Sequence, residues 1–109
     1  MSKEVTINAP AQKDGKLCYM QISGHVAHLY VGNTRHKFLI QKTATNDRLL
    51  TDYASGLRVG NLMPIKLRAS RNYKRMTDRA AAEELLRGLV EKHGQAVVLK
   101  KLDSAPAIN

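Results

Sequence analysis

Residues 77–94, TDRAAAEELLRGLVEKHG, decide the fold class of this chain, because an amphipathic helix can be identified there from spacing alone. The apolar side chains recur at intervals of three and four residues and form one stripe, made of Ala82, Leu85, Leu86, Leu89 and Val90. Thr77 is a favourable N-cap, Asp78 suits the first turn, and residues 92–94, KHG, are typical of a helix C-terminus. The spacing therefore predicts a helix of about 16 residues whose stripe covers a sheet.

Upstream of this helix, apolar and polar residues alternate, which predicts short strands separated by turns rich in Gly, Asn and Asp. The candidate strand segments are residues 5–7, 17–22, 26–31, 36–42, 48–53, 57–59 and 65–69. Pro64 lacks an amide proton, so it is expected at the start of the strand over 65–69 or on a sheet edge.

Downstream of the helix, residues 95–102 predict a last strand, because residues 96–99 form a continuous apolar run. The expected fold class is α+β. It comprises a mainly antiparallel sheet of five to six short strands (a β-meander), then one long amphipathic helix packed on one face, then the last strand. We expect a single domain over residues 1–103 and a flexible C-terminal tail over residues 104–109.

The composition favours a folded intracellular protein. Hydrophobic residues make up 43% of the 109 residues, which is near the globular average and sufficient for a core. Cys18 is the one cysteine, so the sequence can form neither an intrachain disulfide nor a cysteine-cluster zinc site. Residues 1–8 do not resemble a signal peptide, and no stretch approaches the ~18 apolar residues of a membrane span. We expect a cytoplasmic protein without a membrane partner.

The net charge of +9 is concentrated in the middle of the chain. Residues 35–79 contain eleven Lys and Arg against three Asp, whereas residues 80–109 contain four basic and four acidic residues. A basic block of this density attracts polyanions and makes their binding dependent on salt. The charge pattern therefore predicts an anionic partner.

The densest basic run is residues 66–79, KLRASRNYKRMTDR, with six cations and one anion between a predicted strand and the predicted helix. Helix N-termini suit phosphate because their amide protons are free. The expected nucleic-acid-binding residues are Lys66, Arg68, Arg71, Lys74, Arg75 and Arg79, with Tyr73 stacking on an unpaired base. Arg35 and Lys37 extend this track if they share a face with Lys66 and Arg68. The alternative is a solvated loop that only keeps the protein soluble.

Catalytic and metal-binding motifs are not evident. The sequence contains no G-x-S-x-G, P-loop, G-x-G-x-x-G or H-E-x-x-H pattern. His25 and His28 are three residues apart, which places them on opposite faces of a strand, and no third ligand is near. Cys18 alternates with Met20 and Ile22 and is expected to be a buried, inert thiol. We expect no enzyme activity, no metal and no cofactor.

The leading hypothesis is a small non-enzymatic nucleic-acid-binding protein that contacts phosphates through a basic strand-to-helix junction, with DNA or RNA, single-stranded or duplex, left open. The alternative is a protein–protein interaction module, such as an inhibitor, adaptor or accessory factor, that docks an acidic protein through the same basic face. The third hypothesis is that the protein is a small enzyme. Open strand edges also favour pairing between copies, which predicts a homodimer.

Overall fold

The computed structural model describes residues 4–109, so residues 1–3 of the expected domain lie outside the described part of the chain. Five strands come first, and three helices follow. The strands are β1 (Glu4–Lys13), β2 (Lys16–Val31), β3 (Thr34–Lys42), β4 (Arg48–Asp52) and β5 (Arg58–Asn61). The helices are α1 (Met63–Arg71), α2 (Asp78–His93) and α3 (Gln95–Ser104). Each strand pairs antiparallel with the next one, in the order β1-β2-β3-β4-β5, so the expected antiparallel meander is present.

Two apolar clusters lie on opposite faces of the sheet. The larger cluster lies between the sheet and the helices, and the smaller one is formed mainly by β1 and β2. Alternation along β3 shows the division, because Phe38 and Ile40 belong to the larger cluster whereas Leu39 belongs to the smaller one. The helices therefore cover one face, and the β1–β2 hairpin folds over part of the other.

The C-terminal residue connects this hairpin to the β4–β5 turn. The side chain of Asn109 donates from Nδ2 to the carbonyl oxygens of Asn8 and Tyr53, both at 2.8 Å. Its Oδ1 accepts from the amide of Asn8 at 2.8 Å. The Asn109 amide group thus pairs with the β1 backbone as a neighbouring peptide would.

The strand predicted over residues 65–69 is wrong, because this segment forms the middle of α1. Ile65 and Ala69 are buried, whereas Leu67 between them is 54% exposed. One apolar pair with a four-residue spacing fits a helix face as well as a strand face. Pro64 lies in the first turn of α1, where a missing amide proton removes no hydrogen bond. The expected strand-to-helix junction is consequently a helix-to-helix junction.

The last strand predicted over residues 95–102 is also wrong, because this segment forms most of α3. Val98 is buried and Leu102 packs against the same cluster, which is the i, i+4 spacing of a helix. The expectation of one long helix is also wrong, since residues 4–109 contain three helices. α2 itself lies within the 77–94 segment, and the hydroxyl of Thr77 accepts from the amide of Ala80 at 3.1 Å as an N-cap.

The segments 17–22 and 26–31, expected as two strands, are one continuous strand, β2. Gly24 lies at its centre, where a Cβ would overlap the carbonyl oxygen of Ile40 on β3, so glycine permits the close approach. Between the hairpin turn and Ile22, β2 extends past the core, and its Met20 is 51% exposed. Cys18 is half-buried there, so the expectation of a buried thiol is wrong.

Candidate nucleic-acid interface

The expected binding residues 66–79 lie on α1, on the first turn of α2 and on the six-residue connection between them, which we call the α1–α2 loop (residues 72–77). α1 ends in a Schellman motif: the amide of Lys74 donates to the carbonyl of Ala69 and the amide of Tyr73 to that of Ser70, both at 3.0 Å. These two bonds fix the direction in which the chain leaves α1.

Tyr73 occupies the position of this motif that glycine normally takes. Its φ of 57° is in the left-handed region, where a side chain crowds the backbone at a cost of roughly 1–2 kcal/mol. The side chain is also 100% exposed, so no packing of the ring offsets that cost. The turn therefore holds an aromatic ring entirely in solvent at a strained backbone position.

Four cations surround Tyr73 in the sequence, and all four are exposed. We call Arg68, Arg71, Lys74 and Arg75 the loop cations. Within residues 4–109, none of them forms an ion pair with a carboxylate. Their charge is therefore available to an external anion.

The remaining two cations of the run are engaged within the protein. Lys66 Nζ lies 2.5 Å from Asp78 Oδ1, and Arg48 Nε of β4 lies 3.3 Å from Asp78 Oδ2. Arg79 contacts Glu83 at 3.3 Å and donates to the carbonyl of His28 on β2 at 3.0 Å. Asp78 thereby supplies the negative charge that the N-terminus of α2 attracts, so the protein itself occupies the position expected for a phosphate.

Arg35 and Lys37 lie on the opposite face of the sheet from α1. They alternate with Phe38, which faces the helices, and Lys37 Nζ lies 3.7 Å from the ring centroid of Tyr53 in a cation–π contact. Tyr53 packs against the smaller cluster on the hairpin face. The loop cations and Tyr73 thus share one segment, α1 and the α1–α2 loop, whereas Arg35 and Lys37 lie on the other face of the sheet.

A buried polar network that the sequence did not indicate lies at the β4–β5 turn. Asp52 is 2% exposed and accepts from Ser55 Oγ at 2.6 Å, and its other oxygen lies 2.7 Å from His36 Nε2. The carboxylate lies between the hydroxyl and the imidazole, so the histidine cannot deprotonate the serine as a general base would. Ser55 Oγ also accepts from the amide of Leu57 at 3.2 Å, and the network therefore holds the turn in place. The Asp-x-x-Ser spacing across a turn is the one signal that could have indicated it.

Over residues 4–109 no three His, Cys, Asp or Glu side chains group as metal ligands would. In the same part of the chain, none of the helices combines the length and the apolar character that crossing a bilayer requires. The exposed ring of Tyr73 and the four exposed loop cations suit this region to non-covalent binding of an anion and an aromatic surface. No protein-family model, curated protein or solved structure matches this chain, so the interpretation of the site depends on its own chemistry.

Proposed function

We propose that this protein is a non-enzymatic nucleic-acid-binding protein that uses the α1–α2 loop. The loop cations neutralise phosphates, and the ring of Tyr73 stacks on an unpaired base. The net charge of +9 assists association with a polyanion. The proposal also places the protein in the cytoplasm.

The observation that carries this proposal is the strained and fully exposed Tyr73. A side chain that makes no packing contact does not offset the strain of a left-handed backbone, and such strain is concentrated at functional sites. An aromatic ring stacked on a base contributes about 1–3 kcal/mol to binding, which is similar in size to the cost of about 1–2 kcal/mol of the backbone conformation. Four exposed cations within five residues of Tyr73 in the sequence supply the phosphate contacts that a stacked nucleotide needs.

The number of unpaired cations sets the expected salt dependence. Four phosphate contacts predict a slope of about −3 in a plot of log K against log salt for a single strand. If Lys66 and Arg79 also bound phosphate, six contacts would predict a slope of about −4. The slope therefore reports whether the internal ion pairs of those two residues persist in the complex.

The test is to titrate the protein into fluorescently labelled single-stranded and duplex oligonucleotides and to measure binding by fluorescence anisotropy at several salt concentrations. Reversing three loop cations together (R71E/K74E/R75E) is expected to reduce affinity at least 100-fold at low salt. The matched control reverses three exposed cations outside the loop (R87E/K92E/K100E) and lowers the net charge equally. Equal losses in both variants, or a flat salt dependence of the native protein, would contradict a site at this loop.

A second candidate function uses the same four cations, because unpaired cations also accept carboxylates from an acidic protein. In that case the protein is an inhibitor, adaptor or accessory factor. The two functions differ in a pull-down performed after nuclease treatment. A stoichiometric protein partner that survives the nuclease and is lost in R71E/K74E/R75E, without oligonucleotide binding by the native protein, would establish this second function.

A further inference from the structure

A cavity of about 280 Å³ lies between the β4–β5 turn and the helices α2 and α3. It is separate from the α1–α2 loop, because none of residues 66–79 lines it. Its walls are largely apolar and include Leu57, Val59, Leu89, Val97, Val98 and Leu102. The cavity is thus an apolar recess beside the turn that Asp52 and Ser55 hold in place.

Two of its wall residues are large apolar side chains that remain exposed. Leu57 is 46% exposed and Val97 is 54% exposed, and they approach the recess from the turn and from α3 respectively. Exposed apolar side chains that share one concave site are typical of a binding site rather than of ordinary surface. An apolar occupant would cover both of them.

The charged side chains at the cavity favour an anionic occupant. Arg58 and Lys101 line the cavity and are exposed to solvent. Asp52 is the one acid in the lining, but it is 2% exposed, and its oxygens already face His36 and Ser55. The recess therefore combines an apolar interior with a cationic opening.

We propose that this cavity binds a small amphiphile with an unbranched apolar body and one anionic head group, of the class of medium-chain carboxylates. The volume of about 280 Å³ lies near the lower end of the ~300–1,000 Å³ range of small-molecule sites, which favours a short chain, such as that of octanoate, over a long one. The chain lies against Leu57 and Val97, and the head group pairs with Arg58 and Lys101 at the opening.

The probe for this site is octanoate, and octanol is the uncharged comparison. Each is titrated into the full chain, and binding is measured from the changes in the amide chemical shifts. Octanoate is expected to bind saturably below its micellar concentration and to shift the amides of residues 57–59 and 97–102. The variant R58E/K101E is expected to weaken octanoate binding at least tenfold. The matched control K92E/K100E reverses two neighbouring exposed cations that do not line the cavity, and its affinity is expected within twofold of native.

A second variant tests the cavity independently of charge. V97W fills the opening from a half-exposed position, so it is compatible with folding, and it is expected to abolish the shifts at residues 57–59. Equal affinity for octanol and octanoate, equal losses in both charge variants, unchanged binding in V97W, or an absence of saturable binding would each overturn the proposal. Oligonucleotide binding by the α1–α2 loop is measured separately and does not depend on these results.

Discussion

Replacing Tyr73 by glycine is expected to stabilise the fold and weaken nucleic-acid binding at the same time. The left-handed φ of 57° costs tyrosine roughly 1–2 kcal/mol, and glycine does not incur that cost. Glycine loses about 0.5–1 kcal/mol through the greater entropy of the unfolded chain. Because the tyrosine ring is 100% exposed, its removal sacrifices no packing. The net gain is about 0–1.5 kcal/mol, and its midpoint of about 0.75 kcal/mol raises the melting temperature by about 3–6 °C.

The same substitution removes the ring that the proposed function requires. Loss of one stacked base weakens binding by about 1–3 kcal/mol, which corresponds to roughly 5- to 140-fold in affinity. The assays are thermal unfolding of the free protein and anisotropy titration of a single-stranded oligonucleotide at constant salt. A surface residue without function would show the gain in stability alone.

Two further substitutions at Tyr73 separate the backbone effect from the ring effect. Y73A retains a Cβ in the left-handed region, so its stability is expected near native while its binding falls as in Y73G. Y73F retains the ring and is expected to bind within about threefold of native, because stacking uses the face of the ring. Equal stability of Y73G and Y73A would refute the argument from strain, and native affinity of Y73G would refute the stacking contact.

Three other substitutions test the structure around the site. D78N is expected to release Lys66 and Arg48 from their ion pairs, to tighten oligonucleotide binding and to steepen the salt slope by about 0.7 for each of them that gains a phosphate contact. Unchanged affinity and slope would contradict this expectation. G24A is expected to lower the unfolding free energy by about 1–3 kcal/mol, measured by urea titration, because its Cβ meets a backbone carbonyl. The control G88A lies in open space on α2 and is expected to raise the unfolding free energy by about 0.5–1 kcal/mol. D52A is expected to cost about 3 kcal/mol in the same assay, and a loss under about 1 kcal/mol would contradict a structural role for the buried network.

The predictability of each element follows from how many local signals agree. For α2, a favourable N-cap, a C-terminal glycine and a stripe at helical spacing all indicate the same structure, and the helix lies within the expected segment. The antiparallel meander was predictable for a similar reason, since turn residues such as Asp14-Gly15 and Gly32-Asn33 separate short apolar segments of strand length. Gly24 gave a misleading signal, because it serves a close approach of two strands and not a turn.

The two wrong strand predictions concern short apolar segments without such agreement. Residues 65–69 and 95–102 are short segments of five and eight residues, and periodicity alone does not distinguish a helix from a strand over that length. Packing decides between them: Ile65 and Val98 both join the cluster that the helices form on the sheet. That cluster consists of residues distant in sequence, so no local pattern contains the information.

The sequence predicts which residues of the candidate site are charged, but it does not predict how they are arranged in space. The density of cations over residues 66–79 is a property of the sequence, and the exposure of the loop cations agrees with it. The left-handed conformation of Tyr73 is not predictable, because glycine or asparagine normally marks that position. The separation of Arg35 and Lys37 from the loop depends on which face of the sheet the helices cover, which tertiary packing determines.

The six cations of the run therefore have two different physical roles. Lys66 and Arg79 connect α1, α2 and β2 through Asp78 and through the His28 carbonyl, and they fix both ends of the α1–α2 loop. A loop of six residues anchored at both ends loses less conformational entropy on binding than a free loop would. The internal contacts of Lys66 and Arg79 therefore have two effects. They reduce the number of cations that a ligand can contact, and they hold the segment that carries the four loop cations and Tyr73 in a conformation ready to bind that ligand.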